Sequence, residues 1–138
     1  LAFAEAVLGL TYALAGDEEE TTLHADKAAR LSPRDPATGI IWRLARAAAA
    51  FLAGNYEHQV KWGRSMTELF PDFPGGWRHL SVGTAHLGHI DAARTAIGEL
   101  LRLVPYESIG RARTTIPFTR AEDLEHFLDG LRKAGLPE

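Results

Sequence analysis

Apolar positions along this chain recur at helical spacing and are interrupted at regular points by Gly, Pro and acidic residues. Phe3 to Ala15 forms the first apolar run, stopped at Gly16-Asp17. A second helix is expected from Glu18 to Leu31, ended by Ser32-Pro33. Its acidic start (Asp17, Glu18, Glu19, Glu20) and basic later half (Lys27, Arg30) suit the helix dipole. Asp35-Pro36 opens a third helix that runs to Ala53 before Gly54-Asn55, with Pro tolerated in the first turn. Tyr56 to Phe70 is a fourth, closed by Pro71, and Phe73-Pro74-Gly75-Gly76 reads as a loop. Trp77 to Leu87 and Asp91 to Leu103 are the fifth and sixth, ended by Gly88 and Pro105. A short helix is expected over Glu107 to Arg113, and Pro117 breaks the chain. Thr119, with Glu122 three residues on, has capping-box spacing for a last helix from about Arg120 to Ala134, stopped by Gly135. No stretch alternates apolar and polar residues over strand length.

The punctuation has a period. Gly54 to Gly88 is 34 residues, and so is Pro71 to Pro105. Gly and Pro stand 17 apart in each of Gly16–Pro33, Gly54–Pro71 and Gly88–Pro105. A 34-residue period with two helices per unit resembles the tetratricopeptide repeat. Trp77, Leu80-Ser81 and Thr84 stand at the W-x2-L-G-x2-Y spacing, followed by Ala93, Ile97 and Pro105. The first unit keeps Leu8-Gly9 and Tyr12. The second is degenerate: Ala47, Ala50, Gln59 and Gly63 replace motif residues, and its packing is expected to be irregular. The first step is 38 residues, so Arg34 to Gly39 hold a four-residue insertion. The expectation is an all-α, right-handed TPR-like α-α superhelix. It has three hairpins, at about 1–33, 37–71 and 72–105, and a C-terminal capping segment over 106–138.

Composition narrows the chemistry. The 138 residues are 46% hydrophobic and lack cysteine, which removes disulfide scaffolds, zinc-thiolate sites and thiol nucleophiles. Fifteen basic against 18 acidic residues give a net charge of −3, which disfavours a general nucleic-acid surface. No apolar run reaches the roughly 18–20 residues of a membrane span. There are 22 alanines, densest at Ala45, Ala47, Ala48, Ala49, Ala50 and Ala53, where a helix must be approached closely from several sides. The chain starts at Leu1 inside an apolar pattern and reads as a fragment of a longer protein.

The strings LSPRDP (31–36), FLAGNYEHQVKW (51–62) and LEHFLDGLRKAGLPE (124–138) are similar to one group of proteins. These are the C-terminal tetratricopeptide regions of bacterial class III adenylate/guanylate cyclases and of winged-helix regulators with the same tail. The Ile116-Pro117-Phe118 segment before an acidic-start last helix belongs to the same pattern. The resemblance implies a non-catalytic regulatory or interaction tail in the cytoplasm, with the cyclase or DNA-binding domain upstream.

Reactive constellations are weak. His79 and His86 are about two helical turns, some 10 Å, apart, too far to share a metal. Ser32, Ser65, Ser81 and Ser108 lack a G-x-S-x-G context, and Gly75-Gly76 is followed by no Gly-Lys-Ser/Thr. No catalytic residue, cofactor or metal is expected. Arg111, Arg113 and Arg120 around Ile116-Pro117-Phe118 read as a solvated turn with helix-end pairing. The candidate site is the concave groove lined by the first helix of each hairpin. Its residues are Leu10 and Leu14, then Leu44, Ala48 and Phe51, then Arg78, Val82 and His86. Arg78 and His86 would face a ligand's carboxylate or backbone. A protein or peptide partner, or a second copy, is expected there; the alternative is a small signal molecule. The stripe Leu124, Phe127, Leu128, Leu131 must itself be buried and is expected to cap the end of the stack. With Trp77 as a packing residue, Trp77→Ala should cost about 3–5 kcal/mol in denaturant unfolding. A loss under about 1 kcal/mol would contradict the assigned register.

Overall fold

The computed structural model describes all 138 residues. It contains eight helices and no strand. They are α1 (Ala2–Leu14), α2 (Glu18–Leu31), α3 (Pro36–Leu52), α4 (Tyr56–Leu69), α5 (Pro74–His86), α6 (Ile90–Leu103), α7 (Ile109–Thr115) and α8 (Ala121–Lys133). No helix is long and apolar enough to cross a membrane.

The helices repeat in length as well as in spacing. Helices α2, α4 and α6 each have 14 residues. Helices α1 and α5 each have 13, while α3 has 17. The four extra residues near Arg34–Gly39 therefore lengthen α3 by a turn and leave the preceding connection unchanged.

The ends repeat too. After α1, α3 and α5 the chain turns through Gly16, Gly54 and Gly88, with φ of 84°, 73° and 84°. L-residues with a Cβ avoid this region, so glycine is required there. Each turn closes with the same two backbone bonds, for example Gly54 N–H to Phe51 O and Asn55 N–H to Ala50 O, both 3.0 Å or shorter. Helices α2, α4 and α6 end instead on Ser32, Phe70 and Val104. All three share one backbone conformation, with φ from −148° to −131° and ψ from 66° to 78°. Each precedes a proline, whose ring excludes the helical region at the residue before it.

Three expected boundaries are corrected. Phe73-Pro74-Gly75-Gly76 is no loop: α5 starts at Pro74, and Gly75 and Gly76 are buried in its first turn. A Cβ on Gly76 would lie 2.9 Å from the Met66 Cβ, so this glycine serves close approach to α4 rather than a break. Helix α7 starts two residues late, because the Ser108 hydroxyl caps it by accepting the Arg111 N–H at 3.1 Å. Thr119 caps nothing: the N-cap of α8 is Arg120, and Glu122 pairs with the Arg120 guanidinium.

Helices α1 and α2, α3 and α4, and α5 and α6 fold back on each other in sequence. Helix α3 packs on both α1 and α2, and α5 on both α4 and α6. Fourteen of the alanines are buried, which lets the backbones come close. Gly9 lies against the Thr21 and Ala25 backbone. Gly63, expected to loosen its unit, does the opposite: a Cβ there would stand 2.9 Å from the Leu80 backbone nitrogen. Gln59, the other departure, is fully buried and hydrogen-bonds His79 Nδ1 at 3.1 Å.

Helices α3 and α5 touch sparingly, so a wedge opens between them on the groove side. The C-terminal segment fills it. Phe51 of α3 meets Phe127 of α8 and Phe118 with ring centroids 5.2 and 5.5 Å apart. Helix α8 packs mainly on α5, with the Gly130 backbone against Val82. Its other backbone neighbours are α6 and α7, so it rests on the last hairpin, and Phe127 reaches from it to Phe51 of α3.

Gly63→Val should destabilise the chain by about 1–3 kcal/mol through overpacking against Leu80. Gly98→Ala, in open space on α6, should stabilise it by about 0.5–1 kcal/mol. Chemical denaturation of the two variants measures both signs.

Candidate functional site

Between α1, α3, α5 and the C-terminal segment lies a half-open cavity of about 240 Å³. Five of the eight sequence-derived residues line it: Leu10 and Leu14 from α1, Leu44 and Ala48 from α3, and Arg78 from α5. The C-terminal segment supplies the roof through Thr115, Ile116, Pro117, Phe118 and Phe127. Phe73, Gly75, His79 and Arg111 complete the wall.

The remaining three expected residues are covered by the protein itself. Phe51 and Val82 are buried in the core with Phe127, Leu128 and Leu131. His86 stacks on His126 at 4.2 Å and donates from Nε2 to the His126 carbonyl at 3.1 Å. Its imidazole is held below its ordinary pKa, first by burial and then by the facing His126. Its Nε2 is thereby spent on the protein itself.

One end of the cavity is electrostatically organised. The Glu107 carboxylate is fully buried and sits between two guanidiniums. Arg78 donates to its Oε2 at 2.7 Å and Arg111 to its Oε1 at 3.2 Å. Burial opposes ionisation of Glu107, but Arg78, the Ser108 N–H and Arg111 outweigh it and hold the carboxyl below the usual carboxylate range. Two cations against one anion leave this end with a net positive charge. Arg78 also keeps a buried Nε without an acceptor. Arg111 is held in place by stacking on Tyr106, 4.7 Å from the ring centroid.

His79 is 6% exposed and neutral. Burial, with the Arg78 charge beside it, pushes its pKa down to about 3. Its Nδ1 faces the Gln59 amide, and its ring packs edge-on against Phe127 at 5.2 Å.

The other two arginines of the basic stretch are spent on local pairing. Arg113 forms a two-point bridge to Glu125, at 2.9 and 3.0 Å, that ties α7 to α8. The carbonyls of Pro137 and Glu138 accept the N–H groups of Ile109 and Gly110, which fastens the tail to the same place. Sequence reasoning missed Arg111 and His79 as cavity residues and Glu107 as the carboxylate that holds the two arginines. Glu107 and Arg111 stand four apart, the one local hint of an ion pair; the 29-residue link to Arg78 has no sequence signature.

Neither a protein-family model nor a curated protein matches this chain.

The neutral His79 sets a pH dependence. The unfolded imidazole takes a proton near pH 6.5, whereas the folded one resists until about 3. Its stabilising contribution is therefore complete above pH 6.5 and is lost as pH falls. His86 acts in the same direction. The melting temperature should fall between pH 6.5 and 5, where most carboxylates stay ionised, and His79→Met should flatten that slope.

Proposed function

We propose that the chain is a non-catalytic, TPR-like regulatory and interaction domain of a bacterial signalling protein. In type it is like the C-terminal regions of class III cyclases that its sequence resembles. The repeated helix lengths and end geometries support the tetratricopeptide reading. One observation carries the interaction role. The 72-residue step from Ala2 to Pro74 lays Ala4, Val7, Leu8 and Thr11 of α1 on Gly76, His79, Leu80 and Gly83 of α5. In α5 these are the residues pressed on α4: Gly76 on Met66, His79 on Gln59, Leu80 on Gly63 and Gly83 on Val60. In α1 the same face is bare, with Val7 41% and Leu8 43% exposed beside Phe3 and Leu1. An apolar face of this kind marks a contact surface.

The matching occupant is an amphipathic helix of a partner protein that presents a small residue between apolar neighbours. Helix α4 presents Val60, Gly63 and Met66 to α5 in this way. Helical peptides selected from a display library should bind the chain and lose at least tenfold in affinity to Val7→Asp/Leu8→Asp. Selected binders indifferent to that substitution would contradict the assignment. Light scattering over a concentration series reads self-association: a dimer abolished by the same substitution makes a second copy the occupant and overturns the partner helix.

A second reading, a small-ligand sensor, is favoured by the cavity. Helix α8 and Phe118 take up part of the face that an extended peptide would need, and what remains is a small, half-open cavity.

A further inference from the structure

The cavity is amphipathic along one direction. At one end Leu10, Leu14, Leu44 and Ala48 present hydrocarbon. At the other, Arg78 and Arg111 converge on a single carboxylate, Glu107, so one positive charge is uncompensated. Arg78 and Arg111 are the only charged residues in the lining. The Arg78 Nε is buried and has no acceptor, and a buried donor left unmet is costly.

We propose that this cavity binds a small monocarboxylate of about ten heavy atoms with an apolar chain. The inference rests on the sensor reading above and deepens it. Three features select the ligand. The excess of one charge matches a monoanion; a phosphate dianion would leave the site net negative. Guanidinium presents a planar donor fork that suits a carboxylate, and it repels an amine. Size follows from volume: a cavity of about 150 Å³ accommodates benzene, so 240 Å³ takes a body a little over half as large again. The Ile116-Pro117-Phe118 roof then has a consequence. It is the segment that joins α7 to α8, so a ligand seated beneath it contacts both the first two hairpins and the C-terminal segment. Occupancy would couple the groove to whatever α8 is attached to or touches.

Octanoate, octanol and octylamine test this by isothermal titration calorimetry on the full chain, with a free-carboxylate pentapeptide ending in Phe as a fourth probe. Octanoate should bind with a sub-millimolar Kd, and octanol and octylamine at least tenfold more weakly. Arg111→Gln, which leaves the Arg78–Glu107 pair intact, should weaken octanoate at least tenfold. Leu44→Phe, which fills the apolar end, should do the same without removing charge. Circular dichroism checks that each variant folds, and either folded variant suffices. Octanol binding as tightly as octanoate, tighter binding of the pentapeptide, or no octanoate binding at millimolar concentration would overturn the proposal. A melting shift with some other small molecule, in the absence of acid binding, would leave the sensor reading standing and sink only the carboxylate.

Discussion

Close backbone approach between neighbouring helices is the constraint on which the rest of this structure depends. Glycines 9, 63, 83 and 130 each stand where a Cβ would press on a neighbouring helix, at 2.8–3.4 Å from its atoms. Buried alanines extend the same condition over α1 and α3, where Ala13, Ala45, Ala48 and Ala49 form one small cluster. Dispersion energy is gathered from many short contacts there, and little side-chain entropy is lost. The cost is that such an interface has no slack. It holds α3 tightly to α1, and α5 tightly to α4, and the geometry leaves a wedge between α3 and α5.

That wedge explains the C-terminal third of the chain. Large aromatic rings fill space that small residues leave, and Phe51, Phe118 and Phe127 meet there. Helix α8 is seated on α5 because its Gly130 fits Val82 and its apolar stripe finds the groove wall of α5. In the same C-terminal segment Glu107 lies under Arg78, with Arg111 alongside.

The elements legible in the sequence were those encoded by single residues acting locally. Gly16, Gly54 and Gly88, and the residues before Pro33, Pro71 and Pro105, fix helix ends through backbone sterics alone, so their spacing translates directly into helix boundaries. Gly76 misled because glycine signals a break unless one knows that another helix lies 3 Å away, and Gly75 because the Phe73 ring lies over it. Gly63 and Gln59 looked like decay of a motif for the same reason. Register brought Leu10, Leu14, Leu44 and Ala48 to one cavity, though it placed Phe51 there as well. Their partners on α8 were not: a stripe such as Leu124, Phe127, Leu128 and Leu131 states that a face is buried and is silent on what buries it. Glu107 likewise gains its role only from a contact 29 residues distant.

The claim most exposed to test is that the C-terminal segment closes the groove in the free protein. Nuclear Overhauser contacts among the ring protons of Phe51, Phe118 and Phe127 report on it directly. The account predicts all three pairs, since the ring centroids lie 5.2–5.5 Å apart. Absence of both Phe51 contacts, with α8 amides exchanging rapidly, would mean an open groove and would contradict the account.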